Sequence, residues 1–421
     1  MSLAKNTIIY LISNILNAAI PFILLPILTR YLTPSEYGQI AIFQVLLSAL
    51  TTFIGLNTIG SANRKFYDND VSSNILKSFN GSCFQILLFS TIATLLFILL
   101  FGNNISKFLS IPIDWVISAI LISALTFIAT LRLGQWQIRG EAKYFGILQI
   151  SNSLMNMLLS VLLVIFMKQG ASGRIDAQLI VAFIIAIISL LLLYKDNLLK
   201  IFVWQPKQLK EALAFGVPLI PHHVGFFLLS SIDRFFINEK LGLAEAGIYM
   251  VAVQLSMALV IIYDAINKAF VPWLFEKLKK NSNADKIKIV KLTYLHFIFS
   301  LLISLLAFII GPTIVIFIAG EEYIEAARII GILCLGQCFG GMYMMVTNYI
   351  FFSKKTGKLS LITILSGAIN VILLVVLLKN FGLTGVAISF LISKFIQFVL
   401  TWVLSSRCII MPWFSFRKSN I

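Results

Sequence analysis

Apolar residues along this chain gather into runs of about 20 with few charges, the length an α-helix needs to cross the roughly 30 Å hydrocarbon core of a bilayer. Such runs lie at about 8–29, 39–60, 79–101, 112–131, 146–167, 177–194, 213–236, 246–267, 290–318, 328–352, 360–378 and 383–404. They predict an all-α polytopic membrane protein of about twelve transmembrane helices. The shortest run, 177–194, and the long one at 290–318, interrupted by Gly311-Pro312, are the least regular. Connections are no longer than about 25 residues, and no G-x-x-x-x-G-K-[ST] loop occurs, so an ATP-hydrolysing pump is excluded.

Composition agrees with a bilayer as the solvent. Of 421 residues 59% are hydrophobic, mean hydropathy is +0.96, and 12% are charged, where soluble chains carry about 25%. The net charge of +16 would suggest nucleic acid in a soluble protein, but its placement says otherwise. The two ends and the even-numbered connections hold 24 of the 33 lysines and arginines, among them Arg64, Lys65, Arg132, Arg139, Lys143 and the 268–291 cluster. Odd-numbered connections hold 7, and Arg234 and Lys394 fall inside helices. Because the positively charged side is retained in the cytoplasm, both termini are expected inside. Cys83, Cys334, Cys338 and Cys408 lie in or beside apolar runs and have no metal-site spacing, so no metal is expected.

Leu32-Thr-Pro-Ser-Glu36-Tyr-Gly38 echoes Leu241-Gly-Leu-Ala-Glu245-Ala-Gly247 at an offset of 209. Each copy follows a helix bearing two prolines, Pro21 and Pro26 or Pro218 and Pro221, and ending in Arg30 or Arg234. An offset of six helices requires two halves of like orientation, related by a pseudo-two-fold axis along the membrane normal. The expected domains are six-helix bundles at 1–205 and 206–421, joined by a basic linker at 195–212.

Ionisable residues inside the membrane are functional candidates by default, since burying one costs about 2.5–3.5 kcal/mol on insertion scales. Asp233 and Arg234 close the seventh predicted helix, where they either reach the interface or face a cavity. Lys394 lies about ten residues from either end of its helix, which favours a cavity-facing cation. Asp264 and Lys268 have the spacing of a helix-surface ion pair, and Asp264 is equally a candidate for ion coupling. His222 and His223 suit a proton-coupled cycle or a hydrogen bond to backbone opened by Pro218 and Pro221. Recurrence of the prolines favours paired hinges. Gln149, Asn152 and Asn156 share one helix face, and Asn14, Asn17, Gln44, Thr51 and Asn57 add polar groups nearby in sequence. Glu321, Glu322 and Glu325 read as a solvated patch. No catalytic constellation is present, so no enzyme is expected.

The architecture, the early Arg30-Tyr-Leu-Thr-Pro-Ser-Glu-Tyr-Gly38, and Asp233-Arg234 followed by Gly247-x-Tyr249 resemble the polysaccharide biosynthesis exporters over the whole chain. Among these the O-antigen (Wzx-type) lipid-linked oligosaccharide flippases are the nearest likeness, and they share their architecture with multidrug and toxin extruders. The resemblance implies translocation of an undecaprenyl-diphosphate-linked oligosaccharide across a bacterial inner membrane by alternating access. It implies no cofactor, with coupling to a proton or sodium gradient as an option. It also implies a monomer, with a polysaccharide polymerase and chain-length proteins as partners. On that reading Arg30, Arg234 and Lys394 meet the diphosphate, and Gln149, Asn152 and Asn156 meet the sugar. A cation-coupled extruder is the first alternative. A membrane-embedded polymerase or glycosyltransferase is less favoured, because no long extracytoplasmic loop is present.

Overall fold

Local chemistry marks where the helices begin and bend. In the computed structural model, residues 3–68, 72–353 and 357–413 are described, with side chains from residue 9 onward, and no strand occurs among them. The helices are α1 (Leu3–Tyr31), α2 (Pro34–Phe53), α3 (Thr58–Lys65), α4 (Ser73–Leu109), α5 (Ile113–Ile138), α6 (Ala142–Val161) and α7 (Gly170–Lys195). After them come α8 (Pro206–Gly216), α9 (Ile220–Ser230), α10 (Asp233–Leu241), α11 (Leu243–Lys280), α12 (Asn283–Ala319), α13 (Ile324–Phe352) and α14 (Gly357–Cys408). The repeated motif starts α2 with a capping box. The Thr33 hydroxyl accepts from the Glu36 amide, the Glu36 carboxylate accepts from the Thr33 amide at 2.9 Å, and Pro34 opens the first turn.

Ten helices are long and apolar enough to cross a membrane, or eleven when α2 and α3, bent by 50° across a short break, count as one span. α14 has 52 residues, which at 1.5 Å per residue is about 78 Å, enough for two crossings. Its backbone is broken at Gly382, with φ 55° and ψ −138°.

Several boundaries differ from those expected. The 39–60 run is interrupted at 54–57, where Gly55, Leu56 and Asn57 have φ of 77°, 48° and 56°. The Gly55 amide donates to the Ser90 hydroxyl at 2.8 Å. A Cβ on Gly55 would lie 2.2 Å from the Phe127 ring. Gly55→Ala is therefore expected to lower stability by about 1–3 kcal/mol, read as a fall in melting temperature of the purified protein. The 213–236 run is likewise interrupted, by a 3-10 turn at Val217–Leu219 and again between Ser230 and Asp233. In contrast, α12 runs through Gly311-Pro312 unbroken and α1 runs through Pro21 and Pro26. The two proline pairs are thus not alike: one sits in an α-helix throughout and the other at a 3-10 turn within a helical span.

The chain forms two compact units, one of Met1–Phe227 with Ile237–Gly247, the other of Leu228–Phe236 with Ile248–Ile421. That division falls later in the chain than 205/206. Both units expose large apolar side chains, as a lipid solvent allows, and bury rows of polar ones beside their apolar cores. In α14, Ser389, Ser393, Gln397, Thr401 and Ser405 recur every fourth residue, all buried, while Leu99 and Leu100 of α4 are 76% and 78% exposed. The second unit also holds a long helical hairpin. α11 and α12 have 38 and 37 residues, each about 55 Å or more, and the turn between them carries the exposed Lys279, Lys280 and Lys288. Leu274, Leu278, Ile289, Val290, Tyr349 and Trp413 pack together near that end.

Candidate functional site

Within the first unit, α1, α2, α5, α6 and α7 enclose a cavity of about 270 Å³. Asn17, Asn152, Asn156, Gln178 and Arg174 supply its polar lining, and Ile20, Leu24 and Ile122 its apolar wall. Asn152 and Asn156 come from the predicted face of α6, which packs on α1. The Gln149 amide donates to the Asn14 Oδ1 at 3.2 Å, and the Ser153 hydroxyl donates to the Asn17 Oδ1. From the opposite side the Gln44 Nε2 of α2 donates to the Gln178 Oε1 of α7 at 3.0 Å. Asn152 and Asn156 thus line the cavity, whereas Gln149 is engaged one turn away on α1 and does not.

Arg174 was expected in a connection, with the sixth helix starting at 177; α7 instead begins at Gly170 and carries Arg174 in its second turn. The Gly-Ala-Ser-Gly stretch lowers hydropathy without preventing a helix, which is why the apolar run starts late. The Arg174 Nη1 donates to the Ser160 hydroxyl at 2.7 Å, and that hydroxyl donates to the Asn156 carbonyl at 2.5 Å. Among the described residues no carboxylate lies within ion-pair distance of Arg174, and Asp176 is exposed. A guanidinium held beside amides, without a countercharge, suits an anionic or hydroxyl-rich ligand. Its spacing from Gln178, i to i+4, was the signal available in sequence.

The other predicted residues are dispersed. Arg30 is exposed at the end of α1 and does not line the cavity. Asp233 and Arg234 open α10 rather than closing the preceding helix, since a turn intervenes at 231–232. They form a buried cluster in the second unit, 3% and 4% exposed. Asp233 accepts from the Tyr249 hydroxyl at 2.8 Å and from the Arg234 amide at 2.9 Å, and it lies 3.3 Å from the guanidinium. Arg234 also donates to the Ser230 carbonyl at 2.7 Å. Asp233 thereby offsets the charge of Arg234 in a buried cluster.

Lys394 is half-buried in the second unit, its ammonium 5.5 Å from the centre of the Phe390 ring, with no carboxylate in ion-pair distance among the described residues. Asp264 and Lys268 pair at 2.6 Å with both side chains about half exposed, 46% and 54%. That matches the surface ion pair. His222 and His223 follow the 3-10 turn containing Pro218, with Pro221 at the start of α9. The His222 ring meets Phe226 edge-on at 4.9 Å, and its Nδ1 is buried without a hydrogen bond. Glu321 and Glu322 are exposed, and Glu325 pairs with Arg328.

Comparison with known proteins gives this geometry its setting. Residues 3–278 match the family described as polysaccharide biosynthesis protein. The chain is 32% identical over 375 residues to an uncharacterised membrane protein of Haemophilus influenzae, covering 87% of this chain and 88% of that one. It is 24% identical over 434 residues to a candidate O-antigen transporter of Shigella flexneri, covering 97% and 99%. In fold it is similar to an inward-facing multidrug resistance MATE family transporter of the MOP superfamily, with a TM-score of 0.70, 15% identity, and coverage of 93% and 94%. A multi-pass helical membrane protein whose family match spans more than half its length, this chain belongs to the polysaccharide biosynthesis protein family.

Proposed function

We propose that the chain translocates an undecaprenyl-diphosphate-linked oligosaccharide of the O-antigen repeat-unit kind from the cytoplasmic to the periplasmic leaflet of a bacterial inner membrane, by alternating access. The observation that carries this reading is the Arg174 guanidinium, uncompensated in a cavity lined by Asn17, Asn152, Asn156 and Gln178. A charged, hydroxyl-rich head group cannot enter hydrocarbon without replacing its hydration. Amides offer donors and acceptors to sugar hydroxyls, and a fixed cation offsets anionic charge. The polyprenyl tail needs no such path, because it is already soluble in lipid. Lys394 is the second candidate cation, and a proton or sodium gradient is the candidate energy source.

The test is reconstitution. Liposomes containing the purified chain should move a fluorescent, short-chain polyprenyl-diphosphate saccharide between leaflets, read as loss of protection from a membrane-impermeant quencher, while protein-free liposomes do not. Movement of lipophilic cations instead of the saccharide would replace the reading with that of a cation-coupled extruder.

A further inference from the structure

A second cavity of the first unit, about 430 Å³, opens at its basic end, where α5 and α7 stop and α6 begins. It shares no lining residue with the cavity of Arg174. Arg132, Arg139 and Lys195 line it together with the carboxylates of Glu141 and Asp196, three positive charges against two negative. The Arg132 side chain is 1% exposed, a guanidinium almost wholly withdrawn from water. Its Nη2 pairs with Asp196, and its face lies 3.9 Å from the centre of the Trp136 ring. Its Nε and Nη1 are buried with no acceptor among the described residues. Buried donors are rarely left so, and an anion in the cavity is placed to relieve the deficit. α6 adds to the effect. It starts at the rim with Glu141 as its cap residue and no side-chain cap bond, which leaves its first amide donors and the positive end of its dipole open.

We propose that this cavity holds the phosphodiester head group of a resident membrane phospholipid, one whose head also carries a hydrogen-bond donor, as glycerol or ethanolamine does. The single surplus positive charge matches one phosphodiester. Arg139, half-buried, and Lys195, exposed, are the cations within reach of a ligand, and a basic pocket between helix ends is the kind of site that lipid phosphates occupy. Glu141 is exposed at the rim, where its carboxylate can accept from the hydroxyl or ammonium beyond the phosphate. Location separates a lipid from a soluble anion. Trp136 and Tyr144 stack in the wall of the cavity, ring centres 5.8 Å apart, and these are the two residue types that mark a membrane–water interface. In the two turns before Lys195, α7 exposes Ile187, Ile188 and Leu191, an apolar strip on which acyl chains can lie while the head group sits in the cavity. The inference goes beyond the transport reading, since it concerns a bound lipid in a cavity separate from the one proposed for the cargo.

Native mass spectrometry of the full chain in detergent reads the site, with phosphatidylglycerol, phosphatidylethanolamine or phosphatidylcholine of identical acyl chains added. The first two should be retained at least about tenfold more strongly than phosphatidylcholine, whose head group carries no donor. Lys195→Gln alters an exposed side chain, so its folding is not at issue; it should weaken retention of both lipids by about three- to tenfold, and adding Arg139→Gln should bring the loss to at least about tenfold. Lys107→Gln, at an exposed cation in the last turn of α4 and at the opposite end of the unit, should change nothing. Phosphatidylglycerol should raise the melting temperature of the lipid-free protein, and inorganic phosphate at the same concentration should not. Equal retention of the three lipids, equal losses in Lys107→Gln and Lys195→Gln, or stabilisation by inorganic phosphate alone would each overturn the proposal. Displacement of the bound phospholipid by a polyprenyl-diphosphate saccharide would overturn it as well, by making the cavity part of the cargo's path. Retention is read without transport, so a chain that holds phospholipid but moves no saccharide counts against the flippase and leaves this site standing.

Discussion

Arg174→Gln should slow saccharide translocation by about 10- to 100-fold, the loss of one or two charge-assisted hydrogen bonds to the bound head group, while leaving the folded protein as stable as before or more so. The two halves of this expectation have one cause. Arg174 has no carboxylate partner among the described residues, and its hydrogen bond runs to a neutral hydroxyl. Removing it therefore leaves no orphaned opposite charge and relieves the cost of holding a cation away from water. A residue that opposes stability is retained for what it does. Arg174→Lys keeps the charge without the planar fork and should fall between wild type and Arg174→Gln. Arg30→Gln, on an exposed helix end, should change the rate by less than about twofold. Translocation rate in proteoliposomes and melting temperature are the paired measurements. A parallel loss of both in Arg174→Gln would mark the residue as structural and remove the support for the cavity as a binding site.

The second large effect runs the other way. Asp233→Ala should destabilise the protein by about 3–5 kcal/mol, the cost of leaving a buried charge uncompensated. Arg234 keeps the Ser230 carbonyl and the Tyr249 ring face but no countercharge once the carboxylate is gone, and the Tyr249 hydroxyl loses its acceptor. The double variant Asp233→Ala with Arg234→Met should recover much of the loss, because no charge is then stranded. Thermal unfolding of the three proteins in one detergent gives the comparison. If Asp233→Ala melts like wild type yet fails to transport, the cluster is functional and not structural.

What could be seen in the sequence follows from which physics leaves a trace in composition. Lipid exposure does: the apolar runs marked almost every spanning helix, and the run of polar residues at Asn152 and Asn156 marked the face of α6 that lines the cavity. Backbone conformation does not. The break at Gly55 lies inside an uninterrupted apolar run, where hydropathy is blind to φ. Prolines leave no fixed trace either, since α1 absorbs two as α-helix while Pro218 sits in a 3-10 turn. Arg174 escaped because a glycine-rich helix start resembles a loop in composition. Arg234 stood out because a charge inside an apolar run is conspicuous, although the Tyr249 hydroxyl and Asp233 that neutralise its surroundings come together only in the folded chain.

The α11–α12 hairpin has a practical consequence for imaging this protein. Its two helices outrun the thickness of a bilayer and are clamped near their lysine-bearing end by Trp413, Tyr349 and their neighbours. The turn at Asn281 and Ser282 is exposed and uses a positive φ that a short insertion can accommodate. A rigid fiducial domain spliced there would stand free of the detergent belt and lend particle images of a nearly featureless protein an outline by which to orient them.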